Sequence, residues 1–380
     1  MKSKIWLSSP HMGGQELNYI HEAFDQNWVA PLGPNVNGFE ADLEAFLKQD
    51  VQVAALSAGT AALHIGLINL GVKPGDEVFC QTMTFSASAN PIAYLGAKPV
   101  FVDSETETWN MCPIALEDAI KSRMLATGKK PKAIIPVHLY GMPAKMDEIM
   151  AVANKYEIPV LEDAAEGLGS TFKGQQCGTF GEMAALSFNG NKIITTSGGG
   201  ALVCSTKEEK DHTVFLSTQA RDNAPHYQHS HIGYNYRMSN ISAGIGRGQM
   251  EVLNDRIAAR RANNKFYQEL FATIAGVTVF VEPTEDFFSN HWLSCITIDE
   301  KVAGKNREQL RLALLEENIE TRPLWKPMHL QPVFADAPYY GANKVAEHLF
   351  DCGLCLPSGS NLSDEDRVRI AEAVKAFFAE

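Results

Sequence analysis

Short runs of apolar residues alternate with longer amphipathic windows over the first half of the chain. The apolar runs predict buried strands at residues 53–56, 77–80, 99–102, 133–137, 159–161, 184–188 and 201–204. The windows between them have helical spacing, at residues 60–70, 86–95, 113–125 and 144–155. Apolar strands that alternate with helices are typical of a largely parallel sheet covered on both faces. We therefore predict an α/β fold with a mostly parallel central sheet between helices.

The pattern changes in the second half of the chain. A long helical pattern runs from residue 239 to about residue 273, and strands follow near 277–281 and 293–298. A helix at 307–317, a strand into residue 321 and a last helix at 365–379 complete it. We expect a large domain over residues 1–245 and a smaller α+β domain over 246–380. The amino-terminal segment could pack with either domain.

Chemistry in such a sheet is expected at the carboxyl ends of the strands, where the connecting loops lie. One predicted strand ends at Ser187, and Lys192 follows five residues later, before three consecutive glycines at 198–200. A lysine at a strand exit can attack a carbonyl group once it is deprotonated. The glycines are weaker support, because a tight turn between two strands would have the same composition.

Three other strand exits carry polar or aromatic residues. Asp163 could hold a protonated ring nitrogen through a charge-assisted hydrogen bond, or it could cap a helix. Gly59 and Thr60 stand where a helix begins, so its free N–H groups could bind an anion, although Thr60 could equally be the cap. Phe85 could cover a flat ring or simply pack in the core.

In the order in which these residues occur, the sequence resembles the pyridoxal-phosphate-dependent nucleotide-sugar aminotransferases of the DegT, DnrJ, EryC1 and StrS family, which have fold type I. The segments that carry the resemblance span nearly the whole chain, at 28–34, 39–40, 57–63, 85, 137–141, 162–166, 187–192, 233–240 and 322–329. Within the family, residues 9–14, 187–200 and 320–326 are most similar to the 4-aminotransferases of bacillosamine synthesis. Those enzymes aminate UDP-2-acetamido-2,6-dideoxy-4-keto-glucose.

The resemblance implies pyridoxal 5'-phosphate as the cofactor and assigns the residues around its ring. Lys192 would be the Schiff-base lysine and afterwards the acid and base that moves the proton. Asp163 would pair with the pyridinium nitrogen, Glu166 would lie beside the ring hydroxyl, and Phe85 would stack on the ring face. The related dehydratases have histidine in place of the lysine, so Lys192 favours transamination.

The same resemblance implies a phosphate site made of Gly59, Thr60 and the hydroxyl of Ser187. In the family an asparagine of the partner subunit completes this site, and Asn235 matches it. The resemblance therefore implies a homodimer with shared active sites.

The substrate contacts implied by the resemblance are His138, Arg322, Trp325 and His329. A structural hydrogen bond is an equal alternative for His138, and surface or domain-interface packing is the alternative for the other three. The expected partners are a nucleotide sugar and L-glutamate, which is converted to 2-oxoglutarate. We expect the nucleotide of the sugar to be UDP.

Two other functions compete with this one. GDP-perosamine synthase, which acts on GDP-4-keto-6-deoxymannose, belongs to the same family, and a non-catalytic regulator that binds pyridoxal phosphate is a more distant alternative. A metal enzyme has no support, because the sequence has no H-E-x-x-H or paired Cys/His signature.

Composition sets the outer limits of these hypotheses. With 33 Lys and Arg against 45 Asp and Glu, the net charge of −12 argues against binding to nucleic acid or to anionic membranes. A small anionic substrate needs only a local cationic pocket.

No apolar run resembles a signal peptide or a membrane span, and the seven scattered cysteines suit reduced thiols, so we expect a cytoplasmic protein. Cys352 and Cys355 are expected to be a buried pair at a helix end.

Overall fold

The computed structural model describes residues 2–379, in which the apolar runs form strands and the amphipathic windows form helices. The helices are α1 (Glu16–Asp25), α2 (Pro34–Leu47), α3 (Gly59–Asn69), α4 (Asn90–Tyr94), α5 (Pro113–Thr127), α6 (Met146–Tyr156), α7 (Lys207–Ser217), α8 (Asn240–Met250), α9 (Leu253–Phe271), α10 (Glu300–Ala303), α11 (Arg307–Glu316), α12 (Val345–Cys352) and α13 (Asp364–Ala379). The strands are β1 (Gln52–Leu56), β2 (Glu77–Gln81), β3 (Lys98–Val102), β4 (Ala133–Ile135), β5 (Leu161–Asp163), β6 (Thr171–Phe172), β7 (Gln175–Gln176), β8 (Met183–Ser187), β9 (Gly200–Cys204), β10 (Val277–Val279), β11 (Phe287–Phe288), β12 (Ser294–Ile298), β13 (Arg322–Pro323), β14 (Tyr339–Tyr340) and β15 (Gly353–Leu356).

The central sheet has the strand order β14-β3-β2-β4-β5-β8-β9-β1. Parallel bridges between Ile134 and Val160 and between Val137 and Asp163 join β4 to β5, so two four-stranded sheets continue into one another. Within the described chain, β9 alone among these strands runs antiparallel to its neighbours, β1 and β8. The predicted α/β fold with a mostly parallel sheet is confirmed. The two-residue strand β14 escaped prediction because so short a strand leaves no apolar pattern.

Alternate residues of the central strands pack on opposite faces of the sheet, as the two-residue period of a strand requires. Val78 and Cys80 of β2 contact the cluster that contains α3, whereas Phe79 between them contacts the cluster of α5 and α6. Helices α2 and α8 cover the remaining part of that second face, over β1, β8 and β9. Both faces are therefore buried, and the strand ends with their loops are left for chemistry.

A second sheet with the order β10-β12-β15-β13 is antiparallel throughout, and α9, α11 and α13 cover it. Ile5 of the amino-terminal segment pairs with Ile319 and lies in the core of this sheet. Helix α1 packs instead against α8. The amino terminus thus contacts both sheets, and the division of the chain at residue 245 stays a prediction.

Several details differ from the prediction. The long helical pattern after residue 239 is broken at Glu251 and Val252, between α8 and α9. Cys355 is buried in β15, but Cys352 ends α12 and is only half-buried, so the expected buried pair is wrong. Cys355 lies opposite Cys295 instead, with the sulfur atoms 3.7 Å apart.

Across residues 2–379, no helix combines the length and the apolar character that crossing a bilayer requires.

Candidate active site

A cavity of about 210 Å³ lies at the carboxyl ends of β1, β5 and β8. It brings together most of the residues predicted from the sequence, namely Gly59, Thr60, Phe85, Asp163, Glu166, Ser187, Lys192 and Trp325. The remaining lining residues are Ser57, Ala58, Leu63, Thr84, Ala87, Val137, Ala165, Asn189, Asn191, Gly198, Gly199 and Trp292. Residues far apart in sequence therefore meet at one edge of the sheet.

Lys192 lies in the loop that joins β8 to β9, and its side chain is 12% exposed. Its Nζ lies 3.3 Å from Glu166 Oε1 and 4.2 Å from the centroid of the Trp292 ring. Glu166 also accepts a hydrogen bond of 2.7 Å from the Tyr140 N–H through Oε2. Burial raises the pKa of Glu166, and the positive charge of Lys192 opposes this shift. The amino group is thus held between a carboxylate and an aromatic face.

Asp163 ends β5 and is a buried carboxylate without an ion-pair partner among residues 2–379. Its Oδ2 accepts a hydrogen bond of 2.5 Å from the Ser88 hydroxyl, and its Oδ1 accepts one of 3.1 Å from the Ala165 N–H. Ser88 is in turn 2.6 Å from the Thr84 hydroxyl. The residues that follow Asp163 form turns and not a helix, so the helix-cap alternative is wrong. A buried carboxylate oriented in this way suits a cationic ring nitrogen.

The beginning of α3 provides an anion cradle beside Ser187. The N-cap residue is Ala58, and no side chain of residues 2–379 caps the helix, so the alternative that Thr60 is the cap is wrong. A Cβ on Gly59 would come within 3.0 Å of Ser187 Cβ, and one on Gly200 would come within 2.4 Å of the Gly59 N atom. The two glycines therefore let β8, β9 and the helix approach closely. The uncapped N–H groups are available to a phosphate.

Phe85 precedes the helical turn Ser86–Ser88 and is 55% exposed, so the alternative of core packing is wrong. Its ring centroid lies 5.4 Å from that of Trp325. Both rings line the cavity and could contact a flat ligand.

His138 lies outside the cavity wall and is completely buried. Its Nε2 is 2.8 Å from Glu162 Oε2, and its Nδ1 accepts a hydrogen bond of 3.1 Å from the Ala144 N–H. Both ring nitrogens of His138 already bind protein atoms. The structure therefore agrees with a structural hydrogen bond, the alternative given above, and does not present His138 to a substrate.

His329 also lies outside the cavity. Its Nδ1 is 2.7 Å from the Thr82 hydroxyl, and its ring stacks on Tyr339 with 3.8 Å between centroids. Burial lowers the pKa of His329. His329 therefore has a packing role, which was the alternative to a substrate contact. Its ring holds the chain after Trp325 against the end of β2.

Arg322 is exposed and pairs with Glu320, with 2.8 Å between Nη2 and Oε1. It lines a second cavity of about 630 Å³, which shares Asn191, Trp292 and Trp325 with the first one. Arg322 therefore lies beside the lysine cavity but not within it.

Asn235 is exposed and forms an isolated antiparallel bridge with Thr218. It does not line the cavity of its own chain.

Sequence patterns missed several residues of the site. Trp292 faces Lys192, and Ser88 orients Asp163, yet neither lies at a strand exit or in a recognisable spacing. Trp6 lines the second cavity, and the Lys4 ammonium lies 3.6 Å from its ring centroid. A Trp and Lys pair near the amino terminus gave no signal, because its position beside β13 depends on long-range packing.

A loop lysine, a buried unpaired carboxylate and an uncapped helix start lie together at one edge of a mostly parallel sheet, which is the arrangement expected of a fold type I enzyme that binds pyridoxal phosphate. The comparisons with known proteins agree with this class. The model of the DegT/DnrJ/EryC1/StrS aminotransferase family matches residues 10–375. The chain belongs to this family, and it is a pyridoxal-phosphate-dependent aminotransferase.

Individual relatives align over the full length of the chain. EpsN of Bacillus subtilis (strain 168), named a pyridoxal phosphate-dependent aminotransferase, is 50% identical over 100% of this chain and 97% of its own length. GDP-perosamine synthase of Escherichia coli O157:H7 is 38% identical over 99% of both chains. The crystal structure of a DegT DnrJ EryC1 StrS aminotransferase from Brucella abortus is 30% identical, covers 96% of each chain and superposes with a TM-score of 0.88.

Proposed function

We propose that this sugar aminotransferase transfers the amino group of L-glutamate to carbon 4 of UDP-2-acetamido-2,6-dideoxy-4-keto-glucose. The observation that carries the proposal is the convergence of Lys192, Asp163 and the start of α3 in one cavity, with a larger cavity adjoining it. The first cavity suits the cofactor, and the second provides room for the nucleotide of a sugar substrate. The similarity of residues 9–14, 187–200 and 320–326 to the bacillosamine enzymes supports the UDP-linked N-acetyl sugar.

Lys192 would hold the cofactor through its amino group, and the same amino group would remove and return the proton at the reacting carbon. Pyridoxal phosphate supplies the carbonyl that accepts the amino group and the ring that takes up the electron pair. Glu166, 3.3 Å from Nζ, keeps the lysine directed into the cavity. Trp292 covers the other side of the amino group and limits access of water.

Asp163 keeps the ring nitrogen protonated, because its carboxylate is buried, oriented by Ser88 and not neutralised by another cation. Gly59, Thr60 and the Ser187 hydroxyl hold the phosphate at the positive end of α3. Phe85 covers one ring face.

The nucleotide occupies the second cavity in this proposal. Arg322 and Lys4 flank Glu320 at its rim, and Arg322 suits a diphosphate because of its planar donor fork. The Trp325 indole N–H is buried and has no hydrogen-bond partner among residues 2–379, so it can donate to a bound ligand. Trp6 offers an exposed ring for stacking at the same rim.

Two further parts of the proposal concern the assembly and its location. We assign the enzyme as a homodimer in which Asn235 reaches the phosphate site of the partner. Its exposure and its absence from the cavity of its own chain support this role. All seven cysteines are free, which supports a reducing cytoplasm.

The proposal is tested by incubating the purified enzyme and pyridoxal phosphate with L-glutamate and the UDP-linked 4-keto sugar, and by detecting the amino sugar by mass spectrometry. The UDP substrate should be converted, with 2-oxoglutarate formed in equal amount. Lys192→Ala is the matched control and should give no product. If the wild-type enzyme with bound pyridoxal phosphate does not convert the UDP-linked sugar, the UDP assignment is refuted.

A second candidate is GDP-perosamine synthase, because enzymes of that name from Escherichia coli O157:H7 and Caulobacter vibrioides are 38% and 34% identical to this chain. The same incubation with GDP-4-keto-6-deoxymannose separates the two candidates. Higher kcat/KM for the GDP sugar would establish the second one in place of the first.

A further inference from the structure

We infer that Arg260 is a positioning residue that fixes the main chain of Lys192, and that Ser8 and Trp292 act with it. Together these three residues are called the lysine clamp. The inference rests on the role proposed above for Lys192. It concerns the residues that hold the loop that carries the lysine, of which Arg260 and Ser8 bind only main-chain or hydroxyl oxygens outside the amino group.

Arg260 is buried in α9 and donates hydrogen bonds to four separate segments of the chain. Its Nη1 donates to the carbonyl oxygens of Trp292 at 2.5 Å and Ser358 at 3.2 Å. Its Nη2 donates to the Ser8 hydroxyl at 3.0 Å and to the Lys192 carbonyl at 3.3 Å. The planar guanidinium fork thereby ties the lysine loop to the amino terminus, to the loop before β12 and to the segment after β15.

No carboxylate pairs with this guanidinium among residues 2–379. Burial, together with the nearby charge of Arg256, lowers the pKa of Arg260 to about 9. An uncompensated buried cation is costly for folding. The carbonyl oxygens around it must therefore replace the lost hydration, and one of them belongs to Lys192.

Ser8 and Trp292 hold the adjacent peptide. The Ser8 hydroxyl and the Trp292 indole N–H each donate a hydrogen bond of 2.7 Å to the carbonyl of Asn191. The ring of Trp292 also lies 4.2 Å from Lys192 Nζ. The clamp thus fixes two consecutive carbonyl groups, at residues 191 and 192, and places an aromatic face beside the amino group.

The base of the loop is closed by hydrogen bonds that join Phe188 to Thr196 and Gly199, but the part around Lys192 has few bonds of its own and needs external support. Residues 188–199 form no helix or strand, and within the loop the Lys192 N–H reaches only the Asn189 carbonyl, at 3.0 Å. A lysine must be placed within a fraction of an ångström to transfer a proton, and a misplacement of about 1 Å can cost roughly 100-fold in rate. The clamp supplies this precision from segments outside the central sheet.

The test compares Arg260→Lys with Arg256→Lys in the holoenzyme. A lysine at residue 260 keeps the charge but presents its donors from a single point, so it cannot bridge the carbonyls of Lys192 and Trp292. Stopped-flow absorbance of bound pyridoxal phosphate after addition of L-glutamate measures the first half-reaction. We expect its rate and kcat to fall by about 100-fold, with little change in KM or cofactor content.

Arg256 is the matched control, one helical turn away on α9. It also donates to main-chain carbonyls, those of His11 at 3.3 Å and Met12 at 2.9 Å, but it makes no hydrogen bond to residues 188–199. Arg256→Lys should lower the melting temperature without changing the half-reaction. If Arg260→Lys likewise loses only thermal stability, Arg260 is structural and the inference is refuted.

Two milder variants decide the question if Arg260→Lys does not fold. Ser8→Ala and Trp292→Phe each remove one hydrogen bond to Asn191, and each should slow the half-reaction while leaving the cofactor bound. Normal rates in both would overturn the clamp. Lys192→Ala tests the underlying assignment separately, because turnover by that variant would refute the role of Lys192 itself.

Discussion

Gly200 is the first residue of β9 and packs against the beginning of α3. A Cβ at this position would lie 2.4 Å from both the Ala58 carbonyl carbon and the Gly59 nitrogen, whereas ordinary contact begins at 3.4 Å. The obstacle is main chain and cannot rotate away. Gly200→Ala should therefore displace the phosphate cradle from β9 by about 1 Å, at the cost of overpacking, about 1–3 kcal/mol of stability.

The effect on the cofactor follows from the same displacement. Loss of one charge-assisted hydrogen bond from the helix start to the phosphate costs about 1.5–3 kcal/mol. This corresponds to a rise of about 10- to 150-fold in the Kd of pyridoxal phosphate. Pyridoxal, which lacks the phosphate, should lose much less affinity. The two dissociation constants are measured by titrating the apoenzyme and following absorbance, and urea denaturation gives the stability.

Gly190→Ala is the matched control, because its added Cβ would meet only Pro10 Cγ at 3.8 Å. It should bind pyridoxal phosphate normally and be as stable as the wild type. If Gly200→Ala binds the phosphorylated cofactor as tightly as Gly190→Ala does, the start of α3 is not the phosphate site. If pyridoxal affinity falls equally, the damage is general and the reasoning fails as well.

Three further predictions test other parts of the site. Asp163→Asn should reduce kcat by about 100- to 1,000-fold, as loss of an oriented electrostatic group does, while the melting temperature changes little; near-normal kcat would contradict the ring-nitrogen assignment. Burial raises the pKa of Glu166, so the stability due to its protonated form is complete below pH 4.5 and lost as pH rises through the raised value. Urea titrations of the apoenzyme at several pH values measure this effect, and Glu166→Gln should become more stable relative to the wild type as the pH rises. If the free energy of unfolding changes with pH in the same way in both proteins, the direction of the pKa shift is wrong. Asn235→Ala subunits are mixed with Lys192→Ala subunits at a pyridoxal phosphate concentration too low to load the Asn235→Ala homodimer. About a quarter of the wild-type activity should return, because one site in each hybrid dimer is intact; no recovery after verified subunit exchange would exclude a shared site.

Sequence reasoning found the central strands and the residues that follow them because both have local signals. A fully buried strand must be apolar on both faces, so the runs that became β1, β2, β3 and β8 stand out. Gly59, Asp163 and Lys192 follow such runs, and the topology of a parallel sheet brings their exits to one edge.

Residues whose position depends on packing between distant segments could not be found in the same way. A histidine after a strand has the same local pattern whether it lines a cavity or is buried, and only the contacts of His138 with Glu162 and Ala144 distinguish the two. The same holds for His329, which packs on Tyr339. The strand β14 and the break between α8 and α9 were also missed, since short-range patterns carry little information about element ends.

The sequence by itself determined the α/β class and the family and predicted the reacting lysine, because strand periodicity and the residues at strand exits are local properties of the chain. Tertiary structure alone decided what surrounds that lysine. Arg260, Trp292 and Ser8 are separated from Lys192 by many residues, and a sequence contains no record of which buried donors meet which carbonyls. The physical reason is that periodicity depends on neighbours along the chain, whereas hydrogen-bond satisfaction in the interior depends on neighbours in space.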